Sequence, residues 1–223
     1  VTDFEFERAR TPEAKRARQQ AIMDTAARLA AEQGVREVTM SAIADAVGMH
    51  KSAILRYFET REDVFLQLAA DAWTEWLAAV PKLFDKPAAG GGQWSAQEIA
   101  ATLARSLTDR PLFCDLLAHT PLNLERNVST ERIREFKTVA TGATTQVGVL
   151  LCTLTPLRLD QARSVVTVAT AMAGALWQMA APTTTLRAFY ESDPALSHAV
   201  VDVEPRLTDI ISALITGYAV ESA

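Results

Sequence analysis

The sequence is poor in cysteine. Of 223 residues only Cys114 and Cys152 are cysteines, with no C-x-x-C pair and no Cys/His cluster. That excludes a disulfide framework and a zinc finger, and it suits a reducing cytosol. Glycine and proline are scarce, at nine each, while 49% of the residues are hydrophobic and alanine is plentiful. Strand-like alternation is largely absent, so an all-α protein is expected. There is no Gly-rich phosphate loop and no H-E-x-x-H, and neither a metal nor a cofactor is expected. The opening VTDFEFERAR is charged where a secretory signal needs an apolar core, so the chain is expected to be cytoplasmic. Two long uncharged stretches, 138–157 and 164–186, have the length of membrane spans. Threonines and glutamine make the first too polar, and Pro182 interrupts the second, so both are read as buried helices without a membrane. The net charge of −5 does not announce a nucleic-acid partner.

What is present is uneven charge. Ten Lys/Arg face six Asp/Glu between Arg8 and Arg61, whereas residues 67–223 carry twelve against sixteen. A mildly basic block on an acidic body is the asymmetry that a DNA-binding module needs. Within that block lies TMSAIADAVGMHKSAILRYF, Thr39 to Phe58. Met40, Ile43, Ala44 and Val47 fall on one helix face, with Thr39 placed as an N-cap. Gly48 follows, where a left-handed turn is cheap. A second short helix starts near Lys51, with Ile54 and Phe58 facing inward and His50, Lys51, Ser52, Ala53 and Arg56 outward. Two short helices about a glycine turn form a helix-turn-helix, its second helix offered to a major groove. Taken alone, the pattern also fits an ordinary helical corner with a solvated face.

The flanks decide between those readings. A basic amphipathic helix ending AAEQGVREVTM precedes the motif, and TREDVF opens another long helix after it. Over about fifty residues the chain resembles the DNA-binding domain of the TetR family of bacterial transcriptional regulators. Where that family usually has something close to GVSKGTLYHYFPSKEDL, this chain has GMHKSAILRYFETREDVF without a gap. Ala53 stands where the family often has Thr, Leu55 where it often has a phosphate-bonding Tyr, and Arg56 where it often has His or an aromatic. The resemblance implies a DNA face of Arg16, Thr39, Ser41, His50, Lys51, Ser52, Arg56 and Tyr57. Lys51 and Tyr57 would bond phosphates, and His50, Ser52 and Arg56 would reach base edges or adjacent phosphates.

Residues 12–60 are expected to form a three-helix head and 61–223 a larger helical body for ligand binding and dimerisation. Residues 1–11 suggest an arm, either disordered or reaching a minor groove. Helices are expected over Pro12 to Gln33 with Thr11 as its cap, Thr60 to Val80, Ser95 to Leu107, Asp109 to Ala118, Ser129 to Leu154, Asp160 to Ala181, and from Glu204 onward. Residues 85–95 read as a linker, HTPLNLERNVS as a loop, and TTTLRAFYESDP as a polar connection with at most one helical turn. Ala169, Ala173 and Gly174 suggest close helix approach in a self-pairing surface. The resemblance implies a homodimer through the last two long helices, a near-palindromic double-stranded DNA operator, and a small-molecule effector in the body. Trp76, Phe113, His119, Phe136, Thr144, Trp177 and Gln178 are the candidate effector contacts. Arg132, Arg134 and Lys137 fit either an anionic effector or a solvated helix face. Cys114, Asp115 and His119 lie within six residues, but Cys114 and His119 are five apart and face each other poorly on a helix, so no enzyme is expected. The expected function is a repressor released from its operator by the effector. The alternative is a ligand-binding or interaction module with a degenerate head.

Overall fold

The computed structural model describes residues 12–85, 92–180, 185–196 and 199–221. The suggested arm at 1–11, the Thr11 cap and residues 86–91 of the linker fall outside them. The described residues contain helices and no strands. The helices are α1 (Pro12–Gln33), α2 (Met40–Val47), α3 (Lys51–Ile54), α4 (Arg61–Phe84), α5 (Ala96–Thr108), α6 (Pro111–His119), α7 (Thr130–Leu154), α8 (Leu159–Ala180), α9 (Thr185–Ser192) and α10 (Val203–Glu221).

α1, α2 and α3 form the head around Ile22, Ala26, Val35, Val38, Ile43, Ile54 and Phe58, all at or near zero exposure. α4 belongs to both parts of the molecule. It packs on α1, on α5, α6 and α7, and on the turn after α6. Its start is fixed by Thr60, whose Oγ1 accepts the Asp63 N–H at 3.0 Å. Its interior residues Phe65, Trp73, Trp76 and Val80 are buried. In the body α6, α7 and α10 each pack on α8, and α10 packs on α5. Ser95 and Glu98 open α5 with a reciprocal capping box, and Ser129 caps α7.

Four expectations about local structure need correction. α4 does not stop before Pro81 but continues to Phe84. Proline forfeits one backbone bond there, and burial of Val80 and Phe84, with Phe84 stacked edge-on against Trp94 at 5.0 Å, keeps the last turn in place. Asp109 does not cap α6. It is the C-cap of α5, and Arg110 precedes α6 at φ −124°, ψ 70° without a side-chain cap. Pro111 disfavours the helical conformation for the residue before it, so α6 cannot begin earlier. Thr120–Leu124 is not a loop but a π-helical turn continuing α6. Pro121 has no N–H to give to the carbonyl four residues back, and the turn widens around buried Thr120 and Leu124. α9 makes eight residues of helix rather than one turn, supported by Arg187 bonded to Glu191 at 2.8 Å.

The small residues of α8 meet a neighbour within the chain, not an exposed self-pairing surface. Ala169, Ala173 and Gly174 are buried within the chain. A Cβ at Gly174 would lie 2.6 Å from Ala118 N and 3.0 Å from Ala118 Cα. The glycine therefore permits α6 and α8 to cross backbone against backbone. Among the described residues no single helix is long and apolar enough to cross a membrane. α7 and α8 meet that measure only as a pair, and they are bent by 119°.

Candidate nucleic-acid interface and its junction with the body

The helix-turn-helix is built from local chemistry. Thr39 is extended at φ −105°, ψ 158°, and its Oγ1 accepts the Ala42 N–H at 3.1 Å. Gly48 takes φ 72°, ψ 33°, and its N–H bonds back to the end of α2. His50 starts α3: its Nδ1 accepts the Ser52 N–H at 3.4 Å and lies 2.9 Å from the Ser52 hydroxyl. Ile54 and Phe58 turn inward at 0% and 1% exposure. That leaves one face of α3 outward.

Thr39, Ser41, His50, Lys51, Ser52 and Arg56 are all exposed, with Tyr57 half-buried against the head's core. Thr39 and Ser41 open α2 while His50, Lys51 and Ser52 open α3, so these five stand at helix N-termini, where an anion is stabilised by the peptide dipoles. Arg16 is exposed in the first half of α1, the helix against which α2 packs. Leu55, in the place of a usual phosphate-bonding Tyr, is 48% exposed and offers no hydrogen bond from its side chain. Below this face, residues 55–60 and 63 border a polar groove of about 340 Å³, closed on the other side by Val128, Ser129, Glu131, Arg132 and Glu135 of the body.

Three side chains that sequence reasoning did not assign to the site tie the head, α4 and the rest of the body together. Arg61, in the first turn of α4, donates to the carbonyls of Val35 and Val38, so the α1–α2 connection is tied to α4. Its guanidinium also lies 4.7 Å from the Phe65 ring centroid. Arg132 at the start of α7 donates to Asp63 at 2.6 Å, to Gln67 at 3.1 Å and to Glu135 at 2.9 Å. Burial opposes the Arg132 charge, but these carboxylates outweigh it and hold its pKa above the ordinary value. Asp115 on α6 accepts the buried Val35 N–H at 2.7 Å, a contact between residues eighty apart in the chain. The signals were there in part: Asp115 is a single carboxylate within the apolar run PLFCDLLAH, and Arg61 and Asp63 open α4.

The profile of the tetR family of bacterial regulatory proteins matches residues 22–68, and a tetracyclin repressor-like C-terminal domain matches residues 70–222. The chain belongs to the TetR family. No curated protein matches its sequence significantly. Among solved structures, the fatty acid degradation regulator FadR from Bacillus halodurans shares the fold with 17% identity and a TM-score of 0.55, over 92% of this chain and 97% of that one. FadR from Bacillus subtilis, solved with stearoyl-CoA, has 20% identity and a TM-score of 0.51 over 81% and 97%. FadR from Thermus thermophilus, solved with lauroyl-CoA, has 14% identity and a TM-score of 0.54 over 89% and 93%. At these identities the likeness is one of fold. This TetR-family chain is a DNA-binding transcriptional regulator.

In this regulator the seven candidate effector contacts do not converge on one pocket but occupy different environments. Trp76 and Phe113 belong to an aromatic cluster with Trp73, with centroids 5.4–6.1 Å apart, and Trp76 Nε1 donates to Ser106 at 3.0 Å. That cluster is packed, with Trp76 at 1% and Phe113 at 2% exposure. His119 and Gln178 converge on Asp115, at 3.4 Å and 2.7 Å. Phe136 borders a groove of about 170 Å³ between α4 and α7, Thr144 bonds its own helix at the Ala140 carbonyl, and Trp177 is half-buried on α8. A larger apolar groove of about 410 Å³ lies further along the α4–α7 seam, lined by Thr74, Leu77, Ala78, Pro81, Gln146 and Val147. Arg132, Arg134 and Lys137 are engaged in ion pairs, the last two with Glu131 and Glu125 at 2.5 and 2.6 Å. The Cys114 thiol donates to the Leu107 carbonyl, and burial together with the Asp115 charge pushes its pKa up to about 12. It is held as a thiol and is unsuited to nucleophilic attack.

Proposed function

We propose that the regulator is a homodimeric repressor that binds a near-palindromic operator and leaves it when an apolar small molecule enters the body. The head is taken as residues 12–60 and the body as 61–223. The observation that carries this reading is the exposed polar face of α2 and α3, with Lys51 and Arg56 outward and the helix ends aimed at solvent. Such a face suits phosphates and groove edges. Thr39, Ser41, Lys51 and Tyr57 are assigned to the backbone, with Arg16 beside them. His50, Ser52 and Arg56 are assigned to bases or adjacent phosphates.

The dimer reading is supported by what α8 and α10 leave outside. α8 exposes Thr167, Ala171 and Ala175, and α10 exposes Ala213, Thr216 and Gly217, all small enough for helices of two copies to approach closely. A two-fold pair would bring two copies of α3 to successive half-sites. For the effector, the packed Trp73–Trp76–Phe113 cluster supports entry along the α4–α7 seam, whose larger groove is lined mainly by apolar side chains. Acyl-CoA thioesters, bound by two of the FadR structures, are the first class to try.

The test is selection of random duplexes and source-genome fragments by the purified protein at moderate salt. A single enriched near-palindrome is expected, released on adding an acyl-CoA or another apolar ligand. Failure to enrich any site, with folded protein and also in the presence of cell extract, would overturn the regulator reading.

A further inference from the structure

The Asp115 carboxylate joins three parts of the chain that have no sequence proximity. Its Oδ2 accepts the Val35 N–H from the turn after α1, and its Oδ1 accepts the Gln178 amide from α8, both at 2.7 Å. His119, one turn along α6, closes the group at 3.4 Å. The side chain is buried, and Val35 is at 0% exposure. Without Asp115 the Val35 N–H would be a buried donor with no acceptor, which is costly.

The group is held from several sides. Gly34 adopts φ +88°, which turns the Val35 N–H away from α1 and toward α6, and a Cβ there would sit 3.7 Å from Asp115 Oδ2. The Val35 carbonyl is taken by Arg61, so the peptide groups on either side of Val35 are held, one by its N–H from α6 and the next by its C=O from α4. α6 and α8 cross in close contact beside this group, with no room for a Cβ at Gly174 against the Ala118 backbone. Burial opposes ionisation of Asp115, yet the bonds from His119, Val35 and Gln178 hold its pKa below the ordinary carboxylate value. A charged acceptor strengthens each of these bonds.

We infer that Asp115 is a positioning residue for operator recognition, fixing the angle of the head relative to α8 through Val35 and Gln178. The inference rests on the dimeric reading above, in which α8 contributes to the two-fold interface. Two heads locked to α8 in each copy present their recognition helices at one separation. A head released from Asp115 still reads its half-site, but it tolerates several separations.

The experiment uses the operator selected by the full-length wild-type chain, re-synthesised with spacers lengthened and shortened between the half-sites. Asp115→Ala should lose about tenfold in affinity at the native spacing, the scale of a residue that modulates coupling between sites. It should bind altered spacings and random duplex as well as wild type does. Asp115→Asn keeps an acceptor for Val35 and should restore most of the spacing preference. Gln178→Met, at the exposed end of the group, should broaden it less. It decides the matter if Asp115→Ala does not fold, and a Gln178→Met protein with wild-type spacing preference then overturns the inference. A folded Asp115→Ala protein with unchanged spacing preference also overturns it, as does a parallel loss on operator and random duplex alike. If the wild type selects no operator, the regulator reading falls and takes this inference with it. A wild-type operator with indifferent variants sinks the inference alone.

Discussion

The head and the body are made stable by different means. The head is small, and its two short helices are held at their ends by Thr39, Gly48 and His50, with a modest core beneath. The body is long helices closed over aromatic side chains, with Trp76 at 1% exposure and α6 pressed on α8 at Gly174. One part can expose a polar surface because its turns are locally determined. The other gains its order from interior packing, with two of its grooves at the α4–α7 seam. The proposed DNA face therefore sits where stability depends least on the exposed side chains, and the proposed effector grooves border a packed interior.

The widest gap between the two regions should appear on truncating the cluster. Trp76→Ala removes a buried indole and leaves Ser106 without its donor, and should cost about 3–5 kcal/mol by the cavity rule for large aromatics. Denaturant unfolding measures it. A loss under about 1 kcal/mol would show a loosely held cluster, with effector room already present around Trp76 and Phe113. Gly174→Ala comes next, because its Cβ would meet backbone rather than a movable side chain. Overpacking of this kind costs about 1–3 kcal/mol. An unchanged melting temperature would mean that α6 and α8 separate easily, and the head would then not be rigidly coupled to α8.

The same contrast explains what was legible in the sequence. The head could be read because its signals are local: Thr39 three residues before Ala42, a glycine after the last apolar residue, and Ile54 and Phe58 four apart. The gapless TetR-like run from Gly48 to Phe65 lies in the same region, and most body helix ends were legible from their caps, as at Ser95 and Ser129. What escaped was long-range. Nothing near Asp115 in the chain announces Val35, eighty residues earlier, and nothing near Gly174 announces Ala118. Those pairings arise from how α6 crosses α1 and α8, which periodicity does not encode. The π turn at Thr120–Leu124 escaped for the opposite reason, since a proline and polar residues there have the composition of a loop.

Acid should weaken the junction selectively. The Asp115 pKa is lowered in the folded protein, so its contribution is complete above the ordinary carboxylate value and is lost as pH falls through the lower, folded one. The difference in unfolding free energy between wild type and Asp115→Asn should therefore shrink below about pH 4, near the unperturbed aspartate value. A difference that instead grew on acidification would mean a raised pKa and an Asp115 that gains nothing from Val35 and Gln178.

The smallest effect on stability should come from a residue proposed for the DNA face. Lys51 is exposed in the first turn of α3, so Lys51→Ala should change stability by less than about 0.5 kcal/mol. If it neutralises one phosphate, the slope of log affinity against log salt should fall by about one, equally for operator and random duplex. Arg56→Ala should behave differently, costing about 1–3 kcal/mol at one operator position if Arg56 reads a guanine, with little change on random DNA. Identical salt slopes for wild type and Lys51→Ala would remove Lys51 from the phosphate contacts. With Leu55 offering no bond of its own, the backbone contact on α3 would then fall to Tyr57 and the helix N-terminus. A head anchored mainly by neutral groups would show a shallow salt dependence overall, and the two measurements together distinguish that arrangement from one in which charge carries the binding.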